Sequence, residues 1–291
     1  MKSAPFTHHA PDSVGAAVEL LGEHAGRARV LAGGQSLVPL MHRRIERPEH
    51  LVDINRVAGL DRIEAGAEGL SLGAVARQRA VETSPEVARG WPLLCEAIAE
   101  VAHPAIRNRG TVLGSVCQAD PSAELPAAAL ALGGRVVAAG PGGRRRIELG
   151  EFFTGVTRTA LAPDEVAVEL VLPPPPPRTG SAWLELSRRS GDLPVAGVAA
   201  VVGLEPGGRC DHVRVACANA GPVPFDAAEQ VRPLLGAALD RESAAAVGEA
   251  VAAACDPVSD YQGTAAERRR VLAALTRRAL LVAASRAGGA L

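Results

Sequence analysis

Five consecutive prolines, Pro173 to Pro177, place the first limit on the fold. Each ring fixes φ and removes a backbone donor, and each bars its predecessor from the helical region. The run is therefore extended polyproline II, a semi-rigid spacer that no helix or central strand can cross. At 291 residues the chain is also large for a single hydrophobic core. Two or three units are expected, with a boundary at the prolines.

The part before the prolines divides again. Ser13 to Gly22 has a capping serine and an apolar face of Ala16, Ala17, Leu20 and Leu21, which predicts a helix. Arg29 to Ala32 and Leu51 to Ile54 read as buried strands, so residues 1–57 form a compact β-α-β-like unit. Residues 58–177 carry strand patterns at Ile63 to Ala65, Gly69 to Gly73 and Arg135 to Ala138. Helical spacing appears there at Ala74 to Glu82, Pro92 to Val101 and Pro121 to Leu132, the last with Ser122 as a candidate cap. Gly140-Pro141-Gly142-Gly143 predicts a hairpin turn, and Arg144 to Arg146 beyond it read as a solvated strand face. Within 178–291, strands at Ala182 to Leu186, Val195 to Val202 and Val213 to Ala218 precede helices at Ala244 to Ala254 and Ala265 to Arg286. The class is α+β.

Most common chemistries are missing. Serine has no G-x-S-x-G setting, G-x-G-x-x-G is absent, and Lys2, the only lysine, cannot be a P-loop lysine. The five cysteines form no C-x-x-C pair, so neither a zinc site nor a Cys-ligated cluster is signalled, and no metal is expected. Free thiols suit a reducing compartment, and no run of about 18 apolar residues appears. The expected location is the cytoplasm. Net charge of −1 and 2% aromatic residues argue against a nucleic-acid binder. His8-His9 reads as part of a mobile terminus, and His103 as structural.

What remains is Val30 to Leu37, an apolar run ending in Ala32-Gly33-Gly34-Gln35-Ser36-Leu37. Two glycines clear the turn of side chains, permit positive φ and let successive N–H groups face one concavity. Such a nest holds a phosphate or pyrophosphate, although a lone Gly-Gly-x-Ser is more often a tight structural turn. A second stretch of this kind, Thr111-Val112-Leu113-Gly114-Ser115, follows in the next unit. After it, Ala119-Asp120-Pro121-Ser122-Ala123-Glu124 offers carboxylates to sugar hydroxyls; helix capping by the same residues is compatible with that. Two such turns facing each other suit a dinucleotide such as FAD.

Taken in order, Ala32 to Met41, Leu51 to Ile54, His103 to Ser115 and Ala119 to Pro126 resemble the FAD-binding medium subunit of molybdenum hydroxylases, of the aerobic carbon monoxide dehydrogenase and xanthine dehydrogenase type. Arg188 to Asp192 and the final helix extend the resemblance over nearly the whole chain. It implies a two-part FAD-binding domain of the PCMH type, then a small α+β domain with a three-stranded antiparallel sheet. It also implies that Ala32, Gly33, Gly34, Gln35, Ser36 and Leu37, with Thr111, Gly114 and Ser115, surround the FAD pyrophosphate. Ala119, Asp120 and Glu124 would lie toward the sugar, and a backbone contact to the flavin ring would fall at Val166. The implied partners are a molybdopterin-containing large subunit and a [2Fe–2S] small subunit, in a dimer of heterotrimers. Electrons would pass from the clusters through this FAD to an external acceptor. A stand-alone FAD-dependent oxidase or dehydrogenase is the alternative. Three positions depart from the family pattern: Leu113 replaces a glycine, Gln118 a histidine, and Leu184-Glu185 stand where a lysine is common.

Overall fold

The computed structural model describes residues 2–288; Met1 and residues 289–291, at the ends of the expected first and last units, lie outside it. The first sheet holds β1 (Thr7–His9), β2 (Ala28–Leu31) and β3 (His50–Asp53) in the order β1-β3-β2, both pairs parallel. Parallel neighbours require crossovers. The helix Val14–Glu23 supplies the first, capped by Ser13, whose side chain accepts from the Ala16 N–H at 3.2 Å. The helix Leu37–His42 supplies the second.

Strand β1 corrects the expectation of a mobile terminus. A three-residue strand is too short to show a period of two. It is held by its register on β3 and by His9, whose Nε2 lies 3.0 Å from His50 Nδ1. The His24 ring stacks on His50 with centroids 3.6 Å apart. Desolvation, then the neighbouring His24 and His9, pushes the His50 imidazole below its ordinary value.

The second sheet is antiparallel throughout. Its strands are β4 (Ile63–Gly66), β5 (Gly69–Gly73), β6 (Arg135–Gly140) and β7 (Gly143–Glu148), and, after a separate hairpin of β8 (Phe153–Gly155) and β9 (Arg158–Thr159), β10 (Val166–Leu172). The order is β4-β5-β10-β6-β7, so the strand that leads into the prolines is the central one. The Gly140–Gly143 hairpin forms as expected, with Arg144 to Arg146 exposed.

Two helices are shorter than their patterns. Only Gln78–Glu82 of the Ala74–Glu82 segment is helical, because Arg77 is extended (ψ 136°) where it bridges to Thr111, and Ala76 O accepts the Val112 N–H at 3.2 Å. The helix expected from Pro121 begins at Glu124 instead and ends at Ala131. Asp120 Oδ1 accepts the Ser122 N–H at 2.9 Å, and this Asx-type turn occupies the residues before the helix.

The third sheet is antiparallel, in the order β11 (Thr179–Leu186), β12 (Ala196–Leu204), β13 (Cys210–Ala218), β14 (Phe225–Asp226). Three long strands were expected, and β14 adds a two-residue edge. Every residue of β12 is buried. Ala199 and Val201 join the core of the first two sheets, while Val198, Ala200 and Val202 face the second core under the helices Arg241–Ala254 and Ala265–Arg286. A strand buried on both faces reads as one apolar run. Both helices start on capping boxes, Asp240 with Ser243 and Thr264 with Glu267. The prolines cross between the cores, where Trp91 Nε1 donates to Pro173 O at 2.9 Å. Among the described residues no helix is long and apolar enough to cross a membrane.

Candidate functional site

The first glycine stretch leaves the end of β2 as a bare loop. Gly34 has φ +74°, a conformation that favours glycine, while Gly33 is bare for a different reason. A Cβ on Gly33 would stand 2.5 Å from Arg109 O, 2.9 Å from Gly110 Cα and 3.0 Å from Thr111 N. The two predicted stretches therefore touch, backbone to backbone. Gln35 folds back so that its Nε2 donates to Gly33 O at 3.0 Å.

The second stretch is the N-terminus of the helix Val112–Gln118, with Thr111 Oγ1 accepting the Gly114 N–H at 3.1 Å. Leu113 lies within that helix, is buried and needs no positive φ. A leucine in place of the family's glycine therefore strains no turn here. The helix ends at Ala119, which adopts the left-handed conformation at φ +50°.

A polar clamp holds the two loops in register. Asn55 Nδ2 donates to Ala32 O at 2.8 Å and to Asp53 Oδ1 at 2.6 Å. Arg77 spans the gap, with Nη2 donating to Asn55 Oδ1 at 2.5 Å and Nη1 to Arg109 O at 2.6 Å. Backbone bonds from the Gln78 N–H to Gly110 O (2.8 Å) and from the Val112 N–H to Ala76 O (3.2 Å) fix the second loop from its other side. Sequence reading missed Asn55 and Arg77. The only local signal was Asn55 two residues after the buried strand, at a position where an Asx turn is routine.

A cavity of about 740 Å³ opens on one side of the glycine loop, within the range of small-molecule sites. Ala32, Gly33, Gly34, Gln35, Ser36 and Leu37 line it from one edge, and Thr111, Gly114 and Ser115 from the other. Asp120 and Glu124 close one end, together with Gln118. Ala119 and Val166 are not in the wall; both are buried behind it, beside the lining residues Asp120 and Ala167. A second cavity of about 450 Å³ shares the same loop, lined by Leu31 to Gln35 with His42, Asp53, Asn55 and Arg109.

The larger cavity has an unusual electrostatic end. Burial pushes the Glu124 carboxyl up to about 8, and the charges of Glu185, Asp120 and Glu100 add to the rise. Burial likewise raises Glu185 to about 7, although Trp183 Nε1 donates to its Oε2 at 3.0 Å. Gln78 also lines the cavity, and its Oε1 is a buried acceptor with no partner in the protein. Glu185 lies outside the lining, and a protonated Glu124 can donate as well as accept.

Folded Glu124 holds its proton up to about pH 8, against an ordinary value of 4.5. Between those two values the unfolded chain binds fewer protons, so stability falls as pH rises, by at most about 1.4 kcal/mol per unit for this group. Glu124→Gln removes that slope. The ligand-free variant is expected to melt higher than the parent at pH 8 and to differ little at pH 5, with Glu185 retaining a smaller dependence. Equal melting temperatures of the two chains at pH 8 would remove the argument.

The comparisons with known proteins agree with this arrangement. The family described as "FAD binding domain in molybdopterin dehydrogenase" matches residues 4–175. The one described as "CO dehydrogenase flavoprotein C-terminal domain" matches residues 181–283. The 6-hydroxypseudooxynicotine dehydrogenase complex subunit alpha of Paenarthrobacter nicotinovorans is 38% identical over 99% of this chain and 97% of its own length. The carbon monoxide dehydrogenase medium chain of Hydrogenophaga pseudoflava is 38% identical over 97% of this chain and 98% of its own. A solved structure of carbon monoxide dehydrogenase from that organism superposes with a TM-score of 0.95 over 98% of this chain and 99% of the matched one, at 38% identity. Quinoline 2-oxidoreductase from Pseudomonas putida 86 gives a TM-score of 0.92 over 99% of each chain, at 34% identity. With matched domains on both sides of the prolines and full-length likeness to medium chains, this chain belongs to the FAD-binding medium-subunit family of the molybdopterin dehydrogenases.

Proposed function

We propose that this chain takes electrons from [2Fe–2S] clusters on a small partner subunit and passes them to an external acceptor, while a molybdopterin-containing large subunit oxidises the substrate. The observation that carries the reading is the bare loop at Gly33 and Gly34, which lines two cavities. FAD has two ring systems joined by a pyrophosphate. A loop without side chains suits the doubly negative bridge, and hollows that meet at the loop suit the groups it joins.

The residues present fit that cofactor. Ala32 to Leu37, Thr111, Gly114 and Ser115 would face the pyrophosphate. Asp120 and Glu124 offer acceptors to hydroxyl donors. Ala119 would act by turning the chain into that end, and Val166 by setting the backbone course of its lining neighbours Glu165 and Ala167. Bound FAD supplies the exchange of one and two electrons. This chain's residues hold it, keep its bridge free of side chains and bury its sugar end.

Other parts of the reading belong here too. Boundaries near residues 57 and 177 divide the chain into two FAD-binding parts and a C-terminal domain. The relatives' names, a medium chain and a complex subunit, support large and small partner subunits, arranged as a dimer of heterotrimers. The free cysteines favour the cytoplasm.

Co-expression with its partner subunits tests the proposal. The complex is expected to show flavin absorbance near about 450 nm that bleaches on adding the complex's substrate without air. The isolated yellow chain is expected to show no steady turnover of a small molecule. Turnover by the isolated chain would make it a stand-alone flavoenzyme and end the proposal.

A further inference from the structure

Three imidazoles meet on the first sheet, away from the glycine loop. His9 comes from β1, His24 follows the helix Val14–Glu23 as its C-cap, and His50 opens β3. One donor nitrogen from each lies within 4.8 Å of the other two, and all three residues are half-buried. His9 Nε2 and His50 Nδ1 are 3.0 Å apart. The His24 and His50 rings stack at 3.6 Å with an interplanar angle of 2°, and the His9 centroid lies 5.2 Å from His50 and 5.4 Å from His24.

From this convergence we infer that His9, His24 and His50 form a binding site for a divalent first-row cation of the zinc class. Imidazole is the ligand such cations prefer, and three histidines with water in the fourth position make an open tetrahedral site. Zinc–nitrogen bonds of about 2.0–2.1 Å place the nitrogens about 3.3 Å apart in a tetrahedron. The His9–His50 pair, at 3.0 Å, is close to that spacing. The His24 ring, its side chain 14% exposed, must tilt out of its stack to join them.

The surroundings support a cation. Glu23 Oε1 stands 4.0 Å from His24 Nε2, where it can orient that ring as an outer partner. Arg27, the nearest strong positive group, is paired with Glu49 at 3.1 Å. The ligands sit on two strands and a helix end, elements that hold donors more firmly than loops do. Binding ties the three-residue β1 to β3 and to the helix behind it.

Zinc chloride titrated calorimetrically into the full chain, made without a histidine tag, tests the site. One equivalent is expected to bind with a micromolar or tighter Kd and to raise the melting temperature. His24→Gln and His50→Gln are each expected to weaken binding at least tenfold while circular dichroism stays unchanged, and His9→Gln substitutes for either variant that fails to fold. Absence of saturable binding, or a smaller loss in either folded variant, overturns the site and shows the trio to be an imidazole stack only. The outcome is independent of flavin binding.

Discussion

A Gly33→Val chain is expected to purify colourless while remaining folded. The added Cβ meets Arg109 O at 2.5 Å, Gly110 Cα at 2.9 Å and Thr111 N at 3.0 Å, all main-chain atoms. None can turn aside. Arg109 O is held by Arg77 Nη1, and Gly110 O by the Gln78 N–H. The glycine loop is tied from its other side by Asn55. Overpacking of this kind costs about 1–3 kcal/mol or more, and here it is relieved by parting the two loops that flank the cavity. A cost near 2.7 kcal/mol is about a hundredfold in affinity, which sets the expected loss of FAD.

Gly114→Val is the informative contrast. Its Cβ would collide chiefly with Thr111 Oγ1, the end of a side chain. Thr111 can rotate away, losing its cap on the Gly114 N–H at about 1 kcal/mol. FAD binding should weaken without vanishing. The ratio of flavin to protein absorbance after gel filtration, followed by an FAD titration, reads both variants. Parent-like occupancy in Gly33→Val would sink the assignment of this loop.

The second large effect lies at a residue outside the cavity wall. Arg268 is 1% exposed in the first turn of the last helix. Its Nη1 donates to Asn219 Oδ1 at 2.5 Å and its Nη2 to Asp260 Oδ1 at 2.5 Å. Asn219, at φ +58°, also donates from Nδ2 to Pro194 O (2.9 Å) and from its N–H to Pro121 O (2.6 Å). One buried guanidinium thus joins the last helix to the end of β13 and, through Asn219, to the turn that carries Asp120.

Losing Arg268 leaves the buried Asn219 Oδ1 without its partner and empties the guanidinium's volume, while Asp260, 41% exposed, can turn to water; together this costs about 3 kcal/mol. Arg268→Ala is therefore expected to lower the melting temperature by roughly 10 °C, at about 2–4 °C per kcal/mol for a chain of this size. Arg268→Met, which restores volume without charge, is expected to recover part of that loss. A drop of only a degree or two in Arg268→Ala would mean that the buried Asn219 finds a new partner.

Arg268 also marks a limit of sequence reading. The last helix is legible residue for residue, Ala265–Arg286, because Thr264 and Glu267 form a capping box and an apolar stripe follows. Nothing local separates Arg268 from the exposed Arg270. The trio of His9, His24 and His50, and the clamp of Asn55, Arg77 and Arg109 O, were hidden in the same way. Each joins groups far apart in the chain through polar contacts, which leave no periodicity. Strand order was hidden too, since the central place of β10 depends on which faces are buried together. The Ala74–Glu82 pattern was legible and partly misleading, because pairing with Thr111 and Val112 holds Ala76 and Arg77 out of the helix.

By itself the sequence determined where the backbone must be bare, where it cannot continue as helix or strand, and where helices begin. These are consequences of what one residue allows its own φ and its near neighbours. Tertiary structure alone decided that the missing side chain of Gly33 faces a carbonyl of the second loop, that Arg77 pins the two loops together, and that Glu124 is dry enough to keep its proton. Those properties are distances and dielectric surroundings between segments that meet only when the cores close, and no local preference encodes them.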